Sequence, residues 1–157
     1  MSFQKTPEAA DLVGLDEESR QMVVETVHLL RKRLLTKAKV LEFDKKEIFP
    51  EEVIREMLGP DIGLQLLFIP EEYGGIGGGA RDCHVVISEM CKICLGVGTG
   101  FFAIQLGADP ILVGATPEQK AKWLGAIASG NTLVAYAVTE PNAGSNLAAR
   151  KTKAAPG

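Results

Sequence analysis

Apolar residues in the first part of the chain recur at helical spacing. Met22, Val23, Val27, Leu30, Leu34 and Leu41 form a stripe. Arg31, Lys32, Arg33, Lys37 and Lys39 gather toward its C-terminal half, where the helix dipole favours cations. Asp16 suits an N-cap, and Glu17 and Glu18 follow in a first turn that favours acids. The pattern predicts one long surface helix from Asp16 to the region Leu41–Asp44, preceded by a loose arm over the first dozen residues. Pro50 heads a second, shorter helix, Glu51 to Leu58, stopped by Gly59-Pro60. Leu64 to Ile69 is a short apolar run ending at Pro70, and Glu71-Glu72-Tyr73-Gly74-Gly75 is a turn. A further helix is predicted from Arg81 to Leu95, with Val85, Val86, Ile87 and Met90 inward, broken by the glycines between Gly96 and Gly100. Phe101 to Val113 is almost wholly apolar apart from Gly107 and Asp109-Pro110, the pattern of a segment buried at the centre of a bundle.

Thr116-Pro117-Glu118-Gln119 is the best-defined helix start. Thr116 caps, Pro117 suits the first helical position, and Gln119 completes a capping box. The helix turns Ala121, Leu124, Ile127 and Ala128 inward, with Trp123 at the edge, and ends at Ser129-Gly130. The period then changes to two. Thr132 to Thr139 reads as a strand with Val134, Tyr136 and Val138 on one face and Leu133, Ala135 and Ala137 on the other. Both faces are apolar, so burial is expected. The strand delivers the turn Thr139-Glu140-Pro141-Asn142-Ala143-Gly144-Ser145. Pro141 fixes one φ, Gly144 permits a left-handed residue, and Thr139 and Ser145 supply hydroxyls, a set suited to close approach by a polar ligand.

Composition changes this picture little. The 157 residues are 46% hydrophobic and 24% charged, ordinary for a globular domain with its own core. A net charge of -3, without a long Lys/Arg block, argues against a nucleic-acid footprint. No segment reads as the roughly 20 apolar residues of a membrane span. The first eight residues lack an apolar signal region, which leads to the expectation of a cytoplasmic protein. Cys83, Cys91 and Cys94 are odd in number, and Cys91-x-x-Cys94 formally matches a redox pair or half a zinc site. They share helical spacing with Ile87 and Met90, so core packing is the simpler reading and no metal is expected. Gly75-Ile76-Gly77-Gly78-Gly79-Ala80 formally matches a dinucleotide fingerprint. Pro70, Glu71 and Glu72 separate the glycines from the apolar run, and no second parallel strand follows, so a loop between helices is expected.

The order of features resembles one family along nearly the whole chain. The capped helix, Phe49-Pro50-Glu51-Glu52-Val53-Ile54, Ile69-Pro70-Glu71-Glu72-Tyr73-Gly74-Gly75, Ile87-Ser88-Glu89-Met90, the Thr116 helix and Val138-Thr139-Glu140-Pro141 occur as in the acyl-CoA dehydrogenases. The resemblance runs from about Leu15 to Lys153. It implies a mainly α fold: an N-terminal helical bundle over residues 1–130, then the first strand and flavin-binding turn of an incomplete β-domain over 131–157. It also implies α,β-desaturation of an acyl-CoA thioester with FAD as hydride acceptor. By the same resemblance Tyr136, Val138, Thr139, Gly144 and Ser145 bind the cofactor, and Ser145 also touches the acyl-CoA. Asn146 departs from the family, which carries Asp there.

No catalytic residue is assigned. The family's carboxylate base lies in a C-terminal domain beyond these residues; Glu140 is expected to anchor the turn and Glu89 to sit on the helix surface or in a buried pair. The resemblance implies acyl-CoA as substrate, an electron-transfer flavoprotein or similar acceptor as partner, and a homo-oligomer, tetrameric in the family. Two other readings stay open: a non-catalytic binding module derived from such a domain, and a piece of an acyl-CoA oxidase. A strand that is apolar on both faces, with little chain left to pair with it, is expected to self-associate or stay mobile, and the isolated chain to bind FAD poorly.

Overall fold

Local signals set the helix starts. In a computed structural model that describes residues 14–155, Asp16 caps α1 (Glu17–Arg33) by accepting from the Ser19 N–H at 2.7 Å. The predicted loose arm lies outside the described residues. The single long helix does not continue through residue 34. Leu34 and Leu35 both donate to the Leu30 carbonyl, at 2.8 and 3.0 Å, and Thr36 turns extended (φ -60°, ψ 152°) to cap a separate α2 (Lys37–Lys46). The break buries Leu35, which lies off the stripe read from the sequence, at 1% exposure. Burying a Leu side chain is worth about 1.5–3 kcal/mol, enough to outweigh continuity of one helix. α2 itself buries no residue fully.

α3 (Glu51–Met57) follows Pro50, as its sequence predicts, and buries Val53, Ile54 and Met57. The apolar run Leu64–Phe68 is a 3₁₀ turn whose Leu64, Leu67 and Phe68 enter the core. α4 (Ala80–Ile93) and α5 (Leu95–Gly114) form the centre of the bundle. α1 packs on α4, while α3 and α6 (Pro117–Ala128) pack on α5. Phe101 stands fully buried against Phe68, ring centroids 4.7 Å apart.

α5 departs from expectation in two ways. The break falls at Cys94 alone (φ -156°, ψ 114°), and Gly96, Gly98 and Gly100 lie inside the helix. Glycine costs a helix about 1 kcal/mol relative to alanine. Gly98 earns its place through packing: a Cβ there would stand 2.4 Å from Cys91 Sγ. The second departure is burial. Val97, Phe101, Ile104 and Ala108 face the core, but Leu95, Leu106 and Val113 are exposed. α5 is also long and apolar enough, by length and composition, to cross a membrane. Treating Gly107 and Asp109-Pro110 as interruptions hid this in the sequence; in the structure Pro110 sits within the helix, and α5 packs against α3, α4 and α6.

The Thr116 capping box forms as predicted, with Gln119 N–H to Thr116 Oγ1 at 3.3 Å and Thr116 N–H to Gln119 Oε1 at 2.9 Å. Leu124 and Ile127 are buried, whereas Ala121 is exposed and Ala128 half-buried. Among the described residues there is no strand. Thr132 to Thr139 has no ladder partner, and the expected burial on both faces is absent: Leu133, Val134 and Val138 are half-buried, Ala135, Tyr136 and Ala137 exposed. Val134 is the point of attachment, lying so close to α5 that a Cβ on Gly107 would stand 2.4 Å from its Cγ2.

Candidate functional site

The turn after Val138 closes on itself. Glu140 N–H donates to the Ala143 carbonyl at 3.1 Å, and Ala143 N–H donates to the Glu140 carbonyl at 3.0 Å. Pro141 and Asn142 occupy the tip, where a fixed φ at Pro141 costs nothing further. Ala143 is buried at 2% exposure, the one fully buried residue of the turn. The Glu140 carboxylate accepts from the backbone N–H groups of Lys151 at 2.8 Å and Thr152 at 2.9 Å. Hydrogen bonds from Thr152 and Lys151 hold its carboxyl below the usual carboxylate range. Glu140 is thus the anchor read from the sequence, and its partners lie further along the chain than any local rule reaches.

This anchoring builds a groove of about 640 Å³ lined by Val138, Thr139, Glu140, Leu147, Arg150 and Thr152. Of the residues predicted to bind a cofactor, Val138 and Thr139 line it. Tyr136 is 48% exposed outside it, and Gly144 and Ser145 are exposed on the turn beyond it. Gly144 needs correction: it is absent from the residues with positive φ, and a Cβ there would meet nothing within 4 Å. The bridge between Glu140 and Ala143 closes the turn without a left-handed residue, so glycine is not required for its conformation. Arg150 and Thr152 were missed because no local pattern marks them; Thr152 reaches the groove through its Glu140 hydrogen bond, and Arg150 Nε donates to the Leu147 carbonyl at 2.9 Å.

The donors fit an acceptor-rich ligand edge such as a flavin and its pyrophosphate. Among the described residues, no hydrogen bond engages the backbone N–H of Thr139, Gly144 or Ser145. With the Arg150 guanidinium nearby, these groups suit carbonyl, ring-nitrogen and phosphate acceptors. Asn146 contributes its carbonyl, which accepts from Ala149 N–H at 3.1 Å to start a 3₁₀ turn, Leu147–Ala149.

The glycine-rich loop behaves as a connector. Ile76 N–H donates to the carbonyl of Leu66, Gly77 to that of Ile69 and Gly78 to that of Leu67, in or just after the Leu64–Phe68 3₁₀ turn, at 2.9, 2.9 and 3.0 Å. The amides that would cradle a phosphate are therefore engaged. A Cβ on Gly75 would stand 1.8 Å from the Ile69 carbonyl oxygen, which explains glycine by close backbone approach.

Two carboxylates deserve separate placement. Glu89 is half-buried, pairs with Lys92 and lies 3.7 Å from His28 of α1, in keeping with the surface or paired role expected of it. Asp82, overlooked in the sequence, is buried at 1% exposure. It accepts from Leu15 N–H and Gly79 N–H, both at 2.8 Å, and from Arg20 Nε at 2.5 Å. Burial pushes its carboxyl up, but these hydrogen bonds outweigh burial and leave it below the usual value. The cluster ties the segment before α1, α1 itself and the start of α4 into one frame.

A helical domain thus hands an extended segment to a donor-rich, solvent-facing turn. Comparison with known proteins makes this specific: the pattern of the acyl-CoA dehydrogenase N-terminal domain matches residues 16–131, and the chain belongs to the acyl-CoA dehydrogenase family. It is 34% identical over 139 residues to the probable acyl-CoA dehydrogenase YngJ of Bacillus subtilis, covering 80% of this chain and 36% of that protein. Butyryl-CoA dehydrogenase from Megasphaera elsdenii superposes with a TM-score of 0.76 at 29% identity, covering 97% of this chain and 37% of that one. A chain from the structural study of the electron transferring flavoprotein of Acidaminococcus fermentans gives a TM-score of 0.74 at 31% identity, with 87% and 35% covered. The chain therefore spans about a third of the length of these relatives.

Proposed function

We propose that this chain forms the helical domain and flavin-edge turn of a FAD-dependent acyl-CoA dehydrogenase, which desaturates an acyl-CoA thioester between its α and β carbons. The observation that carries the reading is the turn from Val138 to Ser145, anchored through Glu140, whose Thr139, Gly144 and Ser145 amides are unengaged among the described residues. When bound, FAD would supply the hydride acceptor. Val138, Thr139, Gly144 and Ser145 would hold the cofactor, Thr139, Gly144 and Ser145 through free backbone donors, and Ser145 would also reach the acyl-CoA. The outward residues of α5, Leu106 and Val113 among them, offer an apolar wall to an acyl chain.

Glu89 is paired and Glu140 anchors the turn, so proton removal in this reading falls to a carboxylate outside these residues. An electron-transfer flavoprotein is the proposed acceptor, and a homo-oligomer the proposed assembly. The test is anaerobic addition of acyl-CoAs of graded length to the flavin-loaded product of the intact gene. Bleaching of the oxidised-flavin absorbance by at least one of them is expected. Acyl-CoA binding without bleaching by any would replace the dehydrogenase with a binding module, and rapid reoxidation of the bleached flavin when oxygen is then admitted would replace it with an oxidase.

A further inference from the structure

Helical spacing makes the three cysteines look alike; the structure separates them. Cys83 is buried in the core, and burial pushes its thiol up to about 11. Cys91 and Cys94 are only half-buried and line the same open groove of about 510 Å³, facing Asp44, Ile48 and Pro50. Cys91 sits in the last turn of α4, with Gly98 of α5 close against its sulfur. Cys94 is the single non-helical residue between the two helices, and its side chain makes no capping hydrogen bond.

This geometry suits a bond between the two sulfurs. Three residues of separation bring two side chains to one face of a helix, and a disulfide needs Cβ atoms roughly 3.5–4.5 Å apart. Cys94 has left the helix with an extended backbone, so helical geometry does not fix its side chain relative to Cys91. Its N–H bond to the Met90 carbonyl, 3.0 Å, is the last of α4 and need not break.

We propose that Cys91 and Cys94 are a reversible redox pair, oxidised by a peroxide to an intramolecular disulfide. One sulfur attacks the peroxide, the O–O bond breaks, and a sulfenic acid and water form. The second sulfur displaces the sulfenic oxygen, which leaves as water with the second thiol's proton. Two thiols and one peroxide thus give one disulfide and two waters, and a dithiol reductant reverses the step by exchange, becoming a disulfide itself.

The test uses the reduced full chain and stoichiometric hydrogen peroxide, followed by capping of free thiols, intact mass and peptide mapping. Loss of two hydrogens, with Cys83 still capped and both other thiols restored by dithiothreitol, is the expected result. Cys91→Ser and Cys94→Ser should each lose the signal entirely, and Cys83→Ser should keep it. A sulfinic or sulfonic acid in place of the disulfide, or a bond to Cys83 or between chains, overturns the proposal. The wild-type peptide map decides even if a variant fails to fold.

Discussion

Replacing Asp82 with alanine should destabilise the chain more than any other single change at a charged residue. The carboxylate is 1% exposed and accepts from two backbone N–H groups and the Arg20 guanidinium, which is itself 8% exposed. Removal leaves a nearly buried cation short of its main partner and orphans the Leu15 and Gly79 amides. Breaking a buried pair in this way costs about 3–5 kcal/mol. Arg20 keeps Glu17 and the Leu15 carbonyl, so the lower end of that range is the working value. That is a large share of the roughly 5–15 kcal/mol that stabilises a typical domain. Asp82→Asn retains an acceptor but no charge and should cost about half as much, in the range for a hydrogen bond to a charged group.

The pH dependence supplies a second readout. The folded pKa of Asp82 lies below the unfolded reference of 3.8, so its contribution is present above that value and lost as pH falls through the folded pKa. Urea denaturation followed by circular dichroism, at neutral pH and in steps below pH 3.8, would show wild type and Asp82→Asn converging as the solution becomes acidic. A loss under about 1 kcal/mol for Asp82→Ala at neutral pH, or a constant gap between wild type and Asp82→Asn at every pH, would refute the clamp.

Three further changes probe other parts of the fold. Gly130→Ala should lower the melting temperature sharply, because φ is +75° and a Cβ would stand 2.2 Å from the Leu58 carbonyl oxygen; a cost above about 2 kcal/mol is expected in thermal melts. Gly144→Ala should leave the melt unchanged, since nothing lies within 4 Å of the added Cβ; reduced flavin retention by the intact gene product would then report on ligand contact at that residue. Glu140→Gln should speed hydrogen exchange at the Lys151 and Thr152 amides. In wild type the same amides should lose protection as pH drops below 4.5 through the lowered Glu140 pKa, and unchanged exchange in either experiment would remove Glu140 as the anchor.

What the sequence determined is what neighbours along the chain decide. Asp16 and Thr116 cap helices because their oxygens reach N–H groups three residues on, and Pro50 heads α3 because its fixed φ suits a helix start. The turn at Glu140 was legible for the same reason, as were Val138 and Thr139 beside it. The tertiary structure decided matters that depend on distant partners. The α1–α2 break follows from burial of Leu35, and helical glycines in α5 from the room Cys91 and Val134 need. Thr152 enters the groove through Glu140, and Asp82 finds Arg20 across 62 residues of chain. The different fates of the three cysteines belong here too. Periodicity marks a face, but only packing determines how deeply each residue on it is buried.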